Sequence, residues 1–150
     1  MRRQNGDRLV SPSLAQHEVL MNLKMNAIGI VSADIERSLS FYRLLGLATP
    51  EFDAKEDHFQ CDLGGGVTLM WDTVALIQQI TPGYVHGSGS SIGLAWQCDS
   101  PALVDEAYAR IVGAGFESEK APWDAFWGQR YAIVKDPDGN LTSLYAQLGE

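Results

Sequence analysis

The chain has 150 residues, of which 45% are hydrophobic and 20% charged, and carries a formal net charge of −8. This length suits one domain, or two small modules around a shared core. The acidic balance argues against nucleic acid or an anionic membrane as partner, because both demand clustered Lys and Arg. No apolar run reaches the ~18–20 residues of a membrane span.

In chain order, residues 1–23 read as an N-terminal extension. Arg2, Arg3 and Arg8 are not followed by the apolar stretch of a secretory signal, and Ser11-Pro12 is placed to start one short helix. The first strand runs through Ile28-Gly29-Ile30-Val31. Beyond it Ile35, Leu39, Tyr42 and Leu45 recur on one helical face, with Asp34 as N-cap, Glu36 in the first turn and Gly46 as the stop. Three strands are expected next, over 48–53, 57–63 and 66–72, the last two joined through Gly64-Gly65-Gly66. Residues 74–90 read as a linker, with a Gly/Ser-rich run over 81–91. The pattern then repeats. A strand over 92–96 is followed by Ser100-Pro101, an N-cap with proline at the first helical position. Leu103, Ala107, Ile111 and Ala114 make the apolar stripe, and Gly115 ends it. Strands are expected again over 117–120, 129–135 and 141–146.

The halves align as well as repeat. D-L-G-G-G-V-T-L-M-W-D (62–72) lies on D-P-D-G-N-L-T-S-L-Y-A (136–146) without gaps, setting Gly65 on Gly139, Trp71 on Tyr145 and Leu69 on Ser143. I-G-I (28–30) likewise matches I-G-L (92–94). Two matches in the same order, within the same succession of elements, indicate a duplicated unit. Cys61 and Cys98 fit no metal or redox spacing and read as buried small hydrophobes in a reducing, cytoplasmic setting.

A-D-I-E-R-S-L-S-F-Y-R-L-L-G-L (33–47), W-G-Q-R (127–130) and D-P-D-G-N-L (136–141) resemble the vicinal oxygen chelate superfamily, the glyoxalase, bleomycin-resistance protein and extradiol dioxygenase group. The resemblance implies an α+β fold over 24–148. Two βαβββ modules, 24–73 and 91–148, would form a curved mixed sheet with helices outside, a ligand cavity in the cup and a homodimer as the usual assembly. Metalloenzymes of the group keep a His, Gln or Glu on the first and last strand of each module, donors that suit Zn, Ni, Mn or Fe. Carried over, these four positions fall on Ala27, Leu69, Gly93 (Ser91 in the repeat register) and Ser143. None supplies an imidazole or carboxylate, so the expectation is no family-type metal and no cofactor.

Strand alternation then proposes what fills the cup. If Leu69 and Ser143 face inward, so do Val67, Trp71, Leu141 and Tyr145. Ala27, Gly29 and Val31 share that face, as do Gly93 and Ala95, while Ile28, Ile30, Leu94 and Trp96 point under the helices. Small residues opposite aromatic ones suit a planar or cationic ligand; core or interface packing is the plainer role for Trp71 and Tyr145. W-D-A-F-W-G-Q-R (123–130) adds Trp127 and Arg130 as loop candidates that cap the ligand or fold onto the sheet edge. Asp53, Glu56, Asp57 and Asp72 read as a pocket mouth attractive to cations or as a solvated edge. Asp136, Asp138 and Asn140 read as a turn rather than a calcium loop. No nucleophile stands beside a base; His17 lies in the extension, His86 in the linker, and His58 reads as an exposed strand-end histidine ahead of a general base, so no catalytic residue is assigned. The leading expectation is a metal-free small-molecule binder of the bleomycin-resistance type. The alternatives are a superfamily lyase, isomerase or dioxygenase with displaced ligands, and a ligand-free dimeric interaction module.

Overall fold

The computed structural model describes residues 23–89 and 92–149. The expected N-terminal extension, with its short helix and His17, lies outside the described residues except for Leu23, and so does Ser91. Strand β1 (Ala27–Ser32) leads into helix α1 (Ile35–Leu44). Asp34 caps α1, its Oδ1 accepting from the Arg37 amide at 3.1 Å, and Glu36 and Arg43 stand at the helix ends that favour their charges. Gly46 then turns the chain with φ 92°, a conformation that costs glycine little.

The expected strand over 48–53 does not form. Pro50 has no amide to give to a ladder, and the segment is tied to α1 instead: the Pro50 carbonyl accepts from Arg43 Nη2 at 3.2 Å, and Thr49 Oγ1 donates to the Leu39 carbonyl at 3.3 Å. Strands β2 (His58–Gly64) and β3 (Val67–Thr73) follow. The expected linker opens with a further helix, α2 (Val74–Ile80), capped by Thr73, whose hydroxyl accepts from the Leu76 amide at 3.1 Å. The second half comprises β4 (Leu94–Gln97), α3 (Pro101–Gly113), β5 (Glu117–Ala125), β6 (Gln129–Lys135) and β7 (Leu141–Gln147). β5 runs five residues beyond its expected end, so Trp123 lies on a strand and the aromatic loop shrinks to 126–128.

The strands form two mixed sheets, giving an α+β fold. Sheet A has the order β1-β3-β2 and sheet B the order β4-β7-β6-β5. In each, the first strand of the module runs parallel to its last, β1 beside β3 and β4 beside β7, and the other neighbours are antiparallel. One face of each sheet is packed into a common core. Tyr42 of α1 meets Trp71 of sheet A at 5.6 Å and Trp96 of sheet B at 6.0 Å between ring centroids, while Phe41 lies edge-on to Phe116 at 5.1 Å. Leu39, Phe41, Tyr42 and Trp71 are all at most 1% exposed. Burying one such side chain contributes roughly 1.5–3 kcal/mol, so α1 joins the modules chiefly through apolar contact.

The D-P-D-G-N turn is the polar part of that junction. The Asp136 carboxylate, 4% exposed, accepts from Tyr42 Oη at 2.8 Å, from the Asp138 and Asn140 amides at 2.9 and 2.8 Å, and from Asn140 Nδ2 at 2.8 Å. Burial and the neighbouring Asp136 charge push the Tyr42 phenol far above its usual range, so it remains a donor. Asp138 reaches the end of β1, its Oδ1 accepting from the Ala33 amide at 2.9 Å. The same turn holds the linker, since the Gly89 amide donates to the Asp138 carbonyl at 2.9 Å. Gly139 has φ 82°, and a Cβ there would lie 2.9 Å from the Gly89 nitrogen. Only glycine suits both its backbone angle and this approach.

Candidate functional site

Packing one face of each sheet into the core leaves the opposite faces open, and the ladder registers state which residues stand on them. On sheet A, Gly29 pairs with Met70 and Met70 with Gln60, while Asp72 pairs with both Val31 and His58. The open face therefore carries Ala27, Gly29, Val31, Thr68, Met70, Asp72, His58 and Gln60. Leu69 and Trp71, expected in the cup, are on the core side at 1% and 0% exposure. The error is a one-residue slip. Gly29 and Ala95 each precede their helix N-cap by five residues, and their partners are Met70 and Ser143. Ser143 thus corresponds to Met70, not Leu69, and a slip of one reverses every side chain on a strand.

On sheet B, Ala95 pairs with Ser143 and Gln97 with Tyr145, all on the open side; Thr142, Leu144 and Ala146 are buried on the other. Gly93, just before β4, is exposed, and a Cβ there would meet the Leu141 carbonyl at 3.6 Å. Four aromatic rings dominate this face. Trp123 contacts Tyr131 edge-on at 5.3 Å, Trp127 contacts Tyr131 at 5.3 Å, and Tyr131 stacks on Tyr145 at 6.3 Å. Lys120 Nζ stands 3.9 Å over the Trp123 ring. Trp127, 48% exposed, is held by its Nε1 donating to Gln129 Oε1 at 2.7 Å, and Phe126 beside it is almost fully exposed. Arg130 belongs elsewhere. It pairs in the ladder with Ala146, on the helix side, and grips Asp105 of α3 with two bonds of 2.9 and 3.1 Å and Asp124 with one of 3.1 Å. Tyr131 is absent from the residues that the sequence points to, and Trp123 enters only as part of the 123–130 stretch; the alternation Tyr131-Ala132-Ile133-Val134 is the signal that marks Tyr131 as facing away from the core.

The family-type metal does not fit these residues. Ala27 and Gly93 offer no side-chain donor, Ser143 a neutral hydroxyl, and the position beside Gly29 holds the Met70 thioether. Among the described residues no group of three or more His, Cys, Asp or Glu is arranged to hold a metal ion. Burial pushes both thiols up, Cys61 next to Asp62 and Cys98 next to Asp99, so both stay protonated.

Sheet A does hold one acid–base pair. His58 and Asp72 lie directly opposite each other, with Nδ1 and Oδ1 2.5 Å apart, and His58 Nε2 is 3.0 Å from Gln60 Oε1. The Gln60 carbonyl and then the Asp72 carboxylate favour the charged imidazolium and raise the His58 pKa above its ordinary value. A group raised on folding stabilises below its unfolded pKa, and that contribution is lost as pH rises through the folded value. The expected result of an NMR titration of the imidazole is a midpoint above that of a free histidine, moving down in Asp72→Asn.

Two clefts adjoin these faces. A wide one of about 660 Å³ lies beyond the carboxyl ends of the parallel strands β1 and β3, lined by Asp34, Glu36, Glu56, Asp57, Phe52 and His86 among others. Of the acidic residues expected at a pocket mouth, Glu56 and Asp57 line it. Asp53 instead accepts from the Lys55 amide, and Asp72 is paired with His58. A smaller cleft of about 210 Å³ separates β1 from the 84–89 segment and the D-P-D-G-N turn.

Among solved structures the chain is similar to a glyoxalase-related enzyme from Fulvimarina pelagi, at 22% identity over 83% of this chain and 88% of that one, with a TM-score of 0.72. It is also similar to a glyoxalase/bleomycin resistance protein/dioxygenase from Nocardioides, at 25% identity over 88% and 90% of the two chains with a TM-score of 0.66. A lactoylglutathione lyase from Agrobacterium tumefaciens matches at 17% identity over 82% and 92%, with a TM-score of 0.60. No curated protein matches the chain significantly. No helix among the described residues is long and apolar enough to cross a membrane. The family model for these folds matches residues 24–144, and the chain belongs to the glyoxalase/bleomycin resistance protein/dioxygenase superfamily.

Proposed function

We propose that this chain is a metal-independent, cytoplasmic member of its superfamily that binds a small planar or cationic organic molecule, sequestering rather than transforming it, as a homodimer with the ligand between subunits. The observation that carries this reading is the aromatic wall on the open face of sheet B, where Trp123, Trp127 and Tyr145 each contact Tyr131 and Lys120 lies over the outer ring, Trp123. Aromatic faces stack planar rings and attract cations, at about 0.5–2 kcal/mol per contact. The core-forming faces are already occupied within one chain, so the open faces are what remains for a ligand or a second subunit. Phe126 and Val85, 98% and 83% exposed, add apolar surface for a second subunit.

A titration with aromatic cations, followed by tryptophan fluorescence, tests this reading. Trp127→Ala is expected to weaken binding roughly 5- to 30-fold, the loss of one or two such ring contacts, while leaving the melting temperature nearly unchanged. Elemental analysis of native protein showing stoichiometric Ni, Zn, Mn or Fe would sink the metal-independent part.

A second reading, an acid–base enzyme, has one observation behind it: the His58–Asp72 pair on the open face of sheet A. It requires that Gln60 yield His58 Nε2 to a substrate, since that nitrogen is otherwise engaged.

A further inference from the structure

The ladders of sheet B set its open-face side chains in two neighbouring rows. Gln97 pairs with Tyr145, Tyr145 with Tyr131 and Tyr131 with Trp123, so these four stand side by side across all four strands. Two residues along β4, β7 and β6, a second row pairs Ala95 with Ser143 and Ser143 with Ile133. The irregularity of β5 between Lys120 and Trp123 brings Lys120 opposite Ile133 as the end of that row. The first row is tall and mostly aromatic; the second is short until it reaches the lysine. Strands lie about 4.8 Å apart, and same-face neighbours on one strand about 7 Å apart. The short row is therefore a floor roughly 10 Å long from Ala95 to Ile133, with rings as its side wall and Lys120 closing one end.

The charge on this shelf is opposite to that of the chain. The protein carries −8 overall, yet neither row contains an Asp or Glu. Lys120 is the one charged member of the two rows. Its Nζ stands 3.9 Å over the Trp123 ring and makes no salt bridge among the described residues. The acids flanking it in sequence are held elsewhere, Glu119 by Lys135 at 3.2 Å and Asp124 by Arg130 at 3.1 Å. A cation arriving on this shelf finds no carboxylate, and the Trp123 face that would attract it already holds an ammonium. An anion finds the reverse. Contact with a ring face consumes none of the N–H donors of a lysine, so they remain for an acceptor.

We infer that the shelf binds a flat one- or two-ring aromatic molecule bearing a carboxylate. The rings lie over the Ala95–Ser143–Ile133 floor against Tyr145 and Tyr131, and the carboxylate meets Lys120 Nζ. This inference rests on the ligand reading of the aromatic wall given above and selects the planar ligand over the cationic one; an aromatic cation still stacks there, but more weakly.

The test compares three probes of one shape, naphthoate, naphthamide and naphthylmethylammonium, titrated into the full chain at constant ionic strength. The readout is the NMR shift of the Trp123 and Trp127 indole N–H groups and of the Ser143 amide. Naphthoate is expected to saturate roughly three- to tenfold more tightly than the neutral amide, the contribution of one exposed charge-assisted contact, and the ammonium to bind weakest. Lys120→Gln is expected to bring naphthoate down to the affinity of the amide, and Lys120→Arg to keep the preference. Ala95→Leu, at an exposed position of an edge strand, raises the floor and is expected to weaken all three probes. Equal affinities, or tightest binding by the ammonium, would overturn the acidic ligand while leaving the aromatic wall as a binding face. A naphthoate preference that survives Lys120→Gln, or an Ala95→Leu protein that binds like wild type, would overturn it as well. Saturation by none of the probes would remove the aromatic-wall reading itself, and this inference with it.

Discussion

Trp71→Ala lowers stability by about 3–5 kcal/mol, the range for emptying a large aromatic site in a core, and at this chain length that lowers the melting temperature by roughly 6–20 °C. Trp71 is fully buried, meets Tyr42 edge-on at 5.6 Å, and forms part of a core cluster that includes residues of both modules. Its removal therefore loosens α1 from sheet A and, through Tyr42, from Trp96. The indole Nε1 has no hydrogen-bond partner among the described residues, so Trp71→Phe discards an unsatisfied donor along with part of the ring. It is expected to lose less than half as much, about 1–2 kcal/mol. Thermal denaturation of the two variants and wild type checks both numbers. A Trp71→Ala protein that melted like wild type but lost ligand would instead return Trp71 to the binding face.

That contrast shows where the sequence is readable. Both main helices are, because each carries its own start and stop: Asp34 and Ser100 cap by side-chain acceptance at 3.1 and 3.2 Å, and Gly46 and Gly115 take φ values of 92° and 95°. Such signals are local and survive without knowledge of neighbours. The facing of β1, β4 and β7 is also legible, since alternation needs only one correct anchor. For β3 the anchor is wrong. An ungapped match treats the G-G-G turn of the first module and the D-P-D-G-N turn of its counterpart as interchangeable, but the β2–β3 register shifts between Asp62 and Gly64. One residue of slack in a hairpin puts Met70, not Leu69, opposite Gly29. Helix α2 is hidden for another reason. Seven residues with no buried side chain leave no period to detect, and its only distinct signal is the Thr73 cap. The aromatic face of sheet B is half visible: Trp127 and Tyr145 stand out in the sequence, but their contact with Tyr131 and Trp123 depends on β5 continuing past two register shifts, which alternation in a single strand does not encode. Arg130 is drawn toward a ligand by its sequence neighbours, and its bonds to Asp105 exist only because α3 lies across sheet B.

The other large effect lies in the junction. Asp136→Ala is expected to cost about 3–5 kcal/mol, because it strips four bonds from buried or half-buried donors and leaves the Tyr42 hydroxyl enclosed beside a void. The loss should not be spread evenly. The Asp138 and Asn140 amides belong to the turn itself and can turn to water if it frays, whereas Tyr42 Oη is fixed by a ring wedged between Trp71 and Trp96. A double-mutant cycle with Tyr42→Phe isolates that bond, and a coupling energy of about 1.5–3 kcal/mol is expected for a buried hydrogen bond to a charged acceptor. Tyr42→Phe alone keeps the ring packing and removes only the hydroxyl. If the two single losses simply added, the phenol–carboxylate contact would be incidental and the modules would be held by the apolar face of α1 alone. Coupling in the expected range makes Asp136 the reason the D-P-D-G-N turn carries an aspartate at its first position: the turn shape needs Pro137 and Gly139, but only a buried acceptor there answers the Tyr42 hydroxyl that α1 brings from the other module.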